Sequence, residues 1–132
     1  LVGSEMCIRD RYVDGYLFFF ITMDMFKDQK NSYTLYWDRS KEPTMVDNVP
    51  TYDLFLRVAK VADGTGSAAS SIGEVRAFNV KSVLESVNSA EANKDSKSFN
   101  LKVNYLNTIN EKDSTDLKWA SYTVLFQVVK NS

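Results

Sequence analysis

The chain has 132 residues and a formal net charge of −1, which is enough for one domain with a real core. It contains no histidine and one cysteine, Cys7. Histidine-dependent catalysis, imidazole-bound zinc, internal disulfides and thiolate metal clusters are therefore excluded. The near-neutral charge also argues against nucleic-acid binding, which requires a basic excess on one face. We predict no cofactor.

The first eleven residues raise a question of origin. They read LVGSEMCIRDR and resemble VGSEMCIRDR, a string that arises when a sequencing adapter is translated at the end of a read. We predict that residues 1–11 are a non-native segment with few core contacts, as tags and scars are. Residues 12–132 are then expected to form a single domain, a fragment of a longer protein. A buried Ile8 paired into a sheet would contradict the expectation of few core contacts.

The first half of the chain shows a period of two, which is typical of strands. YLFFFITMDMF (16–26) is apolar on both faces at its start and predicts a central strand covered on both sides. Its apolar part is far shorter than the about 20 residues of a membrane span. SYTLYWD (32–38) follows a short polar turn, so the two runs predict a hairpin. Pro43 and Pro50 then predict a break in strand pairing.

The second half supplies four further strands and a short helix. The predicted strands, with residues expected to face the core such as Leu54, Phe99 and Phe126, are YDLFLRVAK (52–60), EVRAFNV (74–80), FNLKVNYLN (99–107) and WASYTVLFQVV (119–129). ADGTGSAASSIG (62–73) predicts a long mobile loop. KSVLESV (81–87) predicts one or two helical turns, and residues 88–98 predict a polar linker.

These elements favour an all-β fold. We predict an antiparallel β-sandwich of about six to seven strands with at most one short helix, because two stacked sheets would bury every apolar stripe. The 13% aromatic content suits the wide space between two sheets. A flattened barrel remains the alternative, which periodicity does not distinguish from a sandwich.

The order of several stretches resembles the C-terminal β-sandwich domain of NigD-like proteins from Bacteroidota. The stretches that carry the resemblance, over about residues 14–108, are DGYLFFFITM, SYTLYWD, YDLFLRVAK, GEVRAFNVKSVL and SFNLKVNYLNT. The family often has a histidine where this chain has Arg57, Val58 and Ala59, and an aspartate where it has Asn79. The resemblance implies a non-catalytic cell-envelope lipoprotein, periplasmic or at the outer membrane, with an accessory or binding role. It also implies that a lipoprotein signal and a small barrel domain would lie in the missing N-terminal part.

Two loops contain residue types that ligand sites use. Asp38, Glu42, Asp47 and Asp53 surround one loop, and calcium takes carboxylate oxygens from such loops, but their spacing matches no EF-hand. A solvated polar loop is the favoured interpretation, so we predict no metal site. The Gly-x-Gly at Gly64 and Gly66 is flanked by strands rather than a crossover helix, so it predicts a flexible loop rather than a dinucleotide site.

Aromatic residues offer the remaining candidate surface. Tyr33, Tyr36, Trp37 and Trp119 could stack on sugar rings if exposed, and at least one of Tyr36 and Trp37 must point away from the core. We therefore name Tyr36 and Trp37 as the possible ligand or partner surface, for an unknown protein or glycan. The alternatives to the accessory role are a carbohydrate-binding module using these two residues and a fibre subunit that polymerises through an unpaired strand edge. An enzyme is not predicted.

Overall fold

A computed structural model describes residues 7–28, 30–62, 64–109 and 117–130. This described part is mostly strand, with one helix and two sheets. Eight strands are present in it, one more than the upper end of the predicted number. They are β1 (Cys7–Val13), β2 (Tyr16–Lys27), β3 (Lys30–Trp37), β4 (Thr44–Val46), β5 (Val49–Ala62), β6 (Thr65–Asn79), β7 (Ser98–Ile109) and β8 (Leu117–Gln127), and the helix α1 (Lys81–Asn93) lies between β6 and β7.

The smaller sheet has the order β1-β2-β6 and is antiparallel throughout. A two-residue turn joins β1 to β2, with φ of 47° at Asp14 and 90° at Gly15, as a type I′ hairpin requires. The strand β1 includes part of the segment predicted to be non-native, and Ile8 pairs opposite Ile21. The backbone is thus paired where no pairing was expected, while the side chains of residues 1–10 lie outside the described residues. The adapter origin of residues 1–11 stays a prediction.

The larger sheet has the order β3-β5-β7-β8, with β4 also paired to β5. Its β5–β7 pair is parallel, so the prediction of purely antiparallel sheets is wrong. The predicted hairpin of β2 and β3 is also wrong, because β3 pairs with β5 and lies in the other sheet. The turn after β2 therefore carries the chain from one layer to the other. Alternate residues of β2, β5 and β7 are buried, and the two facing sheets enclose this apolar side between them.

Two polar-looking stretches are regular structure. The predicted loop 62–73 is largely the first half of β6, in which Ser70 pairs with Met25 and Ile72 with Met23. The helix α1 runs on to Asn93, well into the predicted linker, and ends with Asp95 at a φ of 60°. The amide of Ser96 donates to the Glu91 carbonyl at 3.0 Å, as in a Schellman motif. None of the described helical structure is long and apolar enough to cross a bilayer.

The helix begins beside the smaller sheet. The Asn79 side chain accepts a hydrogen bond from the Lys81 amide at 3.0 Å, and the amide of Val80 donates to the Gly15 carbonyl at 2.9 Å. The N-cap residue is Val80, whose side chain makes no capping hydrogen bond. Asn79 therefore closes a turn of the backbone directly before the helix.

The core lies between the two sheets. Phe99, Leu101, Val103 and Tyr105 are buried as predicted, together with alternate residues of β2 and β5 such as Leu17. The opposite face of β2 is not covered, since Phe20 is 43% exposed, so the prediction of a strand buried on both sides is wrong. The described residues form no strand ladder between the two sheets, and each sheet keeps free edges. The arrangement is two facing open sheets and not a closed barrel.

A row of aromatic rings crosses this core. Tyr12 meets Phe126 edge to face at 4.9 Å, and Phe126 stacks on Phe99 at 5.4 Å. Tyr52 then contacts Phe99 and Trp37, with centroid distances of 6.4 Å to each. Offset and edge-to-face pairs at these distances are attractive beyond the area they bury. The row leads from the smaller sheet to the end of β3, where a cleft opens.

Candidate functional site

The cleft lies between the β3–β4 connection and α1. Its volume is about 320 Å³, at the lower end of the roughly 300–1,000 Å³ typical of small-molecule sites. Trp37, Tyr52 and Val87 supply its most buried surface, and the last two are 6% and 1% exposed. The remaining lining is mostly polar and charged. A site of this form suits a small ligand with one or two rings or a short chain.

The floor of the cleft is set by strand register. Trp37 is the last residue of β3 and pairs opposite Leu54, so both side chains are on the inner face of the sheet. Tyr52 is also on the inner face, two residues before Leu54. The Trp37 and Tyr52 rings are inclined at 73°, and this contact extends the aromatic row into the cleft. The floor is therefore part of the core, and packing holds it in place.

A buried carboxylate ties the helix to this floor. Glu91 is 1% exposed and accepts hydrogen bonds from the Tyr52 hydroxyl, from Ser96 Oγ at 2.8 Å and from Lys94 Nζ at 3.3 Å. A buried carboxylate is tolerated when such donors satisfy it. Tyr52 comes from β5, and Lys94 and Ser96 come from the turn that ends α1, so the network fixes the end of α1 against β5.

The protonation states in this network follow from the contacts. Burial alone would raise the pKa of Glu91, but the hydrogen bonds from Tyr52, Ser96 and Lys94 outweigh it, and the pKa lies below its ordinary value. Burial, and then the hydrogen bond to Glu91, raise the pKa of Tyr52. Glu91 is therefore charged and Tyr52 keeps its proton at neutral pH.

Three cations line the cleft. The Arg39 guanidinium lies over the Trp37 ring, 5.1 Å from its centroid. Lys41 Nζ is 3.9 Å from Asp53 Oδ2, and Lys94 reaches the cleft from the end of α1. Glu42 is the one carboxylate residue among the described residues that line this cleft. The site therefore has charged walls that carry both cations and a carboxylate, and an aromatic floor.

The β3–β4 connection is held by a local turn. The Asp38 carboxylate accepts hydrogen bonds from the Ser40 amide at 3.0 Å and from Ser40 Oγ at 2.6 Å. These hydrogen bonds, from the hydroxyl first, lower the pKa of Asp38. The Lys41 amide donates to the Asp38 carbonyl at 3.3 Å. An aspartate turn of this kind fixes the backbone that carries Arg39 and Lys41.

The two residues predicted as one surface do not lie together. Trp37 is partly buried and lines the cleft, whereas Tyr36 is 44% exposed on the outer face of the larger sheet. The Arg57 guanidinium lies 5.2 Å from the centroid of the Tyr36 ring. Trp119, on β8, is 57% exposed. The structure thus divides the predicted surface into a cleft and an outer face.

The acidic side chains of this loop do not lie in one cluster. Asp38 is occupied by Ser40, and Asp53 accepts a hydrogen bond from Asn104 Nδ2 at 3.0 Å. Asp47 forms part of the β4–β5 turn, with a φ of 50°. Within the described ranges no three acidic, histidine or cysteine side chains are placed to hold a metal ion together.

Most of the cleft was not predicted from the sequence. The sequence places Arg39 and Lys41 in the segment that Pro43 interrupts, and Glu91 and Lys94 in the predicted linker 88–98. The one local sequence feature that points to the cleft is the aromatic residue Trp37, followed two and four positions later by the cations Arg39 and Lys41. The two halves of the cleft are about 45 residues apart in the sequence, so their meeting depends on the tertiary fold.

Comparison with known proteins supports the fold only. The chain is similar to the crystal structure of an uncharacterised protein from Parabacteroides merdae, with a TM-score of 0.64 and 21% identity. The similarity covers 98% of this chain and 59% of that protein, so the chain spans about three fifths of its neighbour's length. No protein-family model matches the chain, and no curated protein is similar to it.

Proposed function

We propose that the chain is a non-catalytic binding domain that takes a small ligand in the cleft between the β3–β4 connection and α1. The observation that carries this proposal is a charged rim over a rigid aromatic floor, in a cleft of about 320 Å³. Catalysis by paired carboxylates would need one on each side of a cleft. Here Glu91 is saturated by its hydrogen bonds, and Glu42 lies on one wall. Binding is the role that this arrangement supports best.

We further propose that the domain is a β-sandwich of the NigD-like type and belongs to a cell-envelope lipoprotein with an accessory role. Support comes from the resemblance of five stretches to that family and from the structural neighbour in Parabacteroides merdae, which belongs to Bacteroidota, the phylum of the NigD-like proteins. Fractionation of the native host, with an antibody to this domain, tests the location. Recovery in the membrane or periplasmic fraction is expected, and recovery in the cytoplasm would contradict the proposal.

The binding site is tested by filling the cleft. Ala90 lines the cleft from α1, whereas its neighbour Ser89 is exposed and does not line it. We expect Ala90→Phe to abolish binding of any small molecule found in a thermal-shift screen, because the added ring occupies the cleft. Ser89→Phe, on the same helix, should bind normally. Equal binding by both variants would place the ligand elsewhere.

A second candidate is glycan binding on the outer face of the larger sheet. Tyr36 pairs with Phe55, Phe55 with Asn104, and Asn104 with Ser121 across four strands, which places two rings beside two polar groups. Exposed aromatic surfaces usually mark an interface, and rings with polar neighbours can stack on sugars. Tyr36→Ala should then reduce binding on a glycan array, whereas Ala90→Phe should leave it unchanged. No effect of Tyr36→Ala would exclude this candidate.

A further inference from the structure

We propose that the cleft recognises a small oxyanion, a ligand bearing a carboxylate or a phosphate group, with Arg39 as its principal contact and Lys41 and Lys94 beside it. This inference deepens the proposed function and rests on it. The two sources of such a group, an acidic sugar or acid and a phosphorylated metabolite, share the chemistry that the cleft would recognise.

Arg39 is positioned but not neutralised. Its guanidinium lies over Trp37, 5.1 Å from the ring centroid, and no carboxylate of the described residues lies within ion-pair distance of it. Stacking uses the flat face of a guanidinium and leaves its N–H edge available for two parallel hydrogen bonds to one oxyanion. A cation held on the wall of a cleft without a counter-ion is a preformed anion contact.

The two lysines add charge beside it. Lys41 Nζ is 3.9 Å from Asp53 Oδ2, too far for a good hydrogen bond. Lys94 Nζ is 3.3 Å from the Glu91 carboxylate, which also accepts hydrogen bonds from the hydroxyls of Tyr52 and Ser96. An ammonium has three donors, so each lysine has N–H groups left for a ligand.

The charge in the cleft differs from that of the whole chain. The chain carries a net charge of −1, yet three cations and one carboxylate residue, Glu42, line the cleft. Lys41 and Lys94 lie beside carboxylates outside the lining, Asp53 and Glu91, so among the described residues the unpaired cation of the cleft is Arg39. The three cations are exposed, with the Lys41 side chain at 59% and the Lys94 side chain at 52%. Salt therefore screens their attraction for a ligand, which should be strongest at low ionic strength. The Glu42 carboxylate, on the same lining, can accept a hydrogen bond from a hydroxyl group of the ligand.

The chain offers matched controls for a binding experiment. Arg57 lies over Tyr36 at 5.2 Å in the same kind of contact as Arg39, but on the outer face of the sheet. Lys130 pairs with Asp95 at 2.8 Å and is 58% exposed, close to the 52% of Lys94. Neither control lines the cleft. Each therefore removes a comparable charge without touching the proposed site.

The test is calorimetric titration with glucuronate, glucose 6-phosphate, inorganic phosphate and neutral glucose at low salt. We expect at least one anion to bind more tightly than glucose, and Arg39→Gln to weaken it by about 10- to 100-fold, as loss of a charged hydrogen-bonding pair does. Arg57→Gln should not change it. Lys94→Gln should weaken it and Lys130→Gln should not, which keeps the test valid if Arg39→Gln fails to fold. A preference for glucuronate identifies a carboxylate source, and a preference for either phosphate probe a phosphate source.

The outcomes separate this inference from the proposed function. If glucose binds as tightly as the anions and Arg39→Gln has no effect, the oxyanion proposal is wrong while binding in the cleft stands. If Ala90→Phe binds all ligands found in the screen as wild type does, the cleft is not the binding site and both proposals are wrong.

Discussion

Replacing the buried carboxylate Glu91 by glutamine should destabilise the fold by about 2 kcal/mol at pH 7. Hydrogen bonds to a charged group contribute roughly 1.5–3 kcal/mol and neutral ones about 0.5–1.5 kcal/mol. Tyr52 and Lys94 both donate to Glu91 Oε2, where the glutamine oxygen can replace the carboxylate oxygen. The Ser96 hydroxyl donates to Oε1, where glutamine presents an amide donor instead. The half-exposed Lys94 pair adds only a few tenths of a kcal/mol. Urea denaturation followed by far-UV circular dichroism measures the loss.

The same change should alter the dependence of stability on pH. The pKa of Glu91 is lowered in the folded state from an ordinary value of 4.5. Its contribution is therefore fully present above pH 4.5 and is lost as the pH falls through the folded-state pKa. The difference between wild type and Glu91→Gln should shrink in that acidic range. Glu85→Gln, an exposed change on the same helix, should cost nothing measurable.

Two results would refute this reasoning. One is a Glu91→Gln variant within about 0.5 kcal/mol of wild type at pH 7, the scatter expected of ordinary surface changes. The other is a difference that stays constant from neutral to acidic pH. A double-mutant cycle with Tyr52→Phe should give a coupling of about 1 kcal/mol or more, since the two side chains share a hydrogen bond.

Three further perturbations follow from burial, backbone geometry and charge. Phe19→Ala should lower the free energy of unfolding, measured in urea, by about 3–5 kcal/mol because Phe19 is 0% exposed. Phe20→Ala should lower it far less because Phe20 is 43% exposed. Equal losses would refute the assigned faces of β2. Gly15→Ala should lower the melting temperature because Gly15 has a φ of +90°, whereas Gly73→Ala meets its nearest atom only at 4.0 Å and should not. Burial and a hydrogen bond to a carboxylate raise the pKa of Tyr33 to about 12. The contribution of Tyr33 to the free energy of unfolding is therefore complete below pH 10 and is lost as the pH rises through 12. Tyr33→Phe should remove that loss of stability, and an unchanged dependence of stability on alkaline pH would contradict the assignment.

Strict alternation was the most reliable sequence signal. Phe99, Leu101 and Val103 stand every second residue with polar neighbours, and all three are buried. Alternation fixes which face is inside but not which strand is the neighbour. That is why β3 was assigned to β2, whereas it pairs with β5 in the other sheet. The choice of partner depends on long-range packing, which the local pattern does not contain.

Other errors have local causes. The Asp14-Gly15 turn is a strong hairpin signal. It predicts no hairpin when residues 1–11, which supply most of the first strand, are interpreted as a non-native segment. The small polar residues of β6 have low strand propensity, and pairing with β2 overrides it. In α1, Val87 and Glu91 stand four residues apart and are both buried. In the sequence, Glu91 favours a polar linker because the Tyr52 hydroxyl, which donates to it in the core, is 39 residues away.

The most direct test of ligand binding in the cleft is a titration of backbone amide chemical shifts with glucuronate or with glucose 6-phosphate. We expect saturable shifts at residues 37–43 and 86–94, which form the two walls, and their loss in Ala90→Phe. Shifts confined to the outer face around Tyr36, or no saturable shifts with any ligand that stabilises the protein, would contradict binding in the cleft.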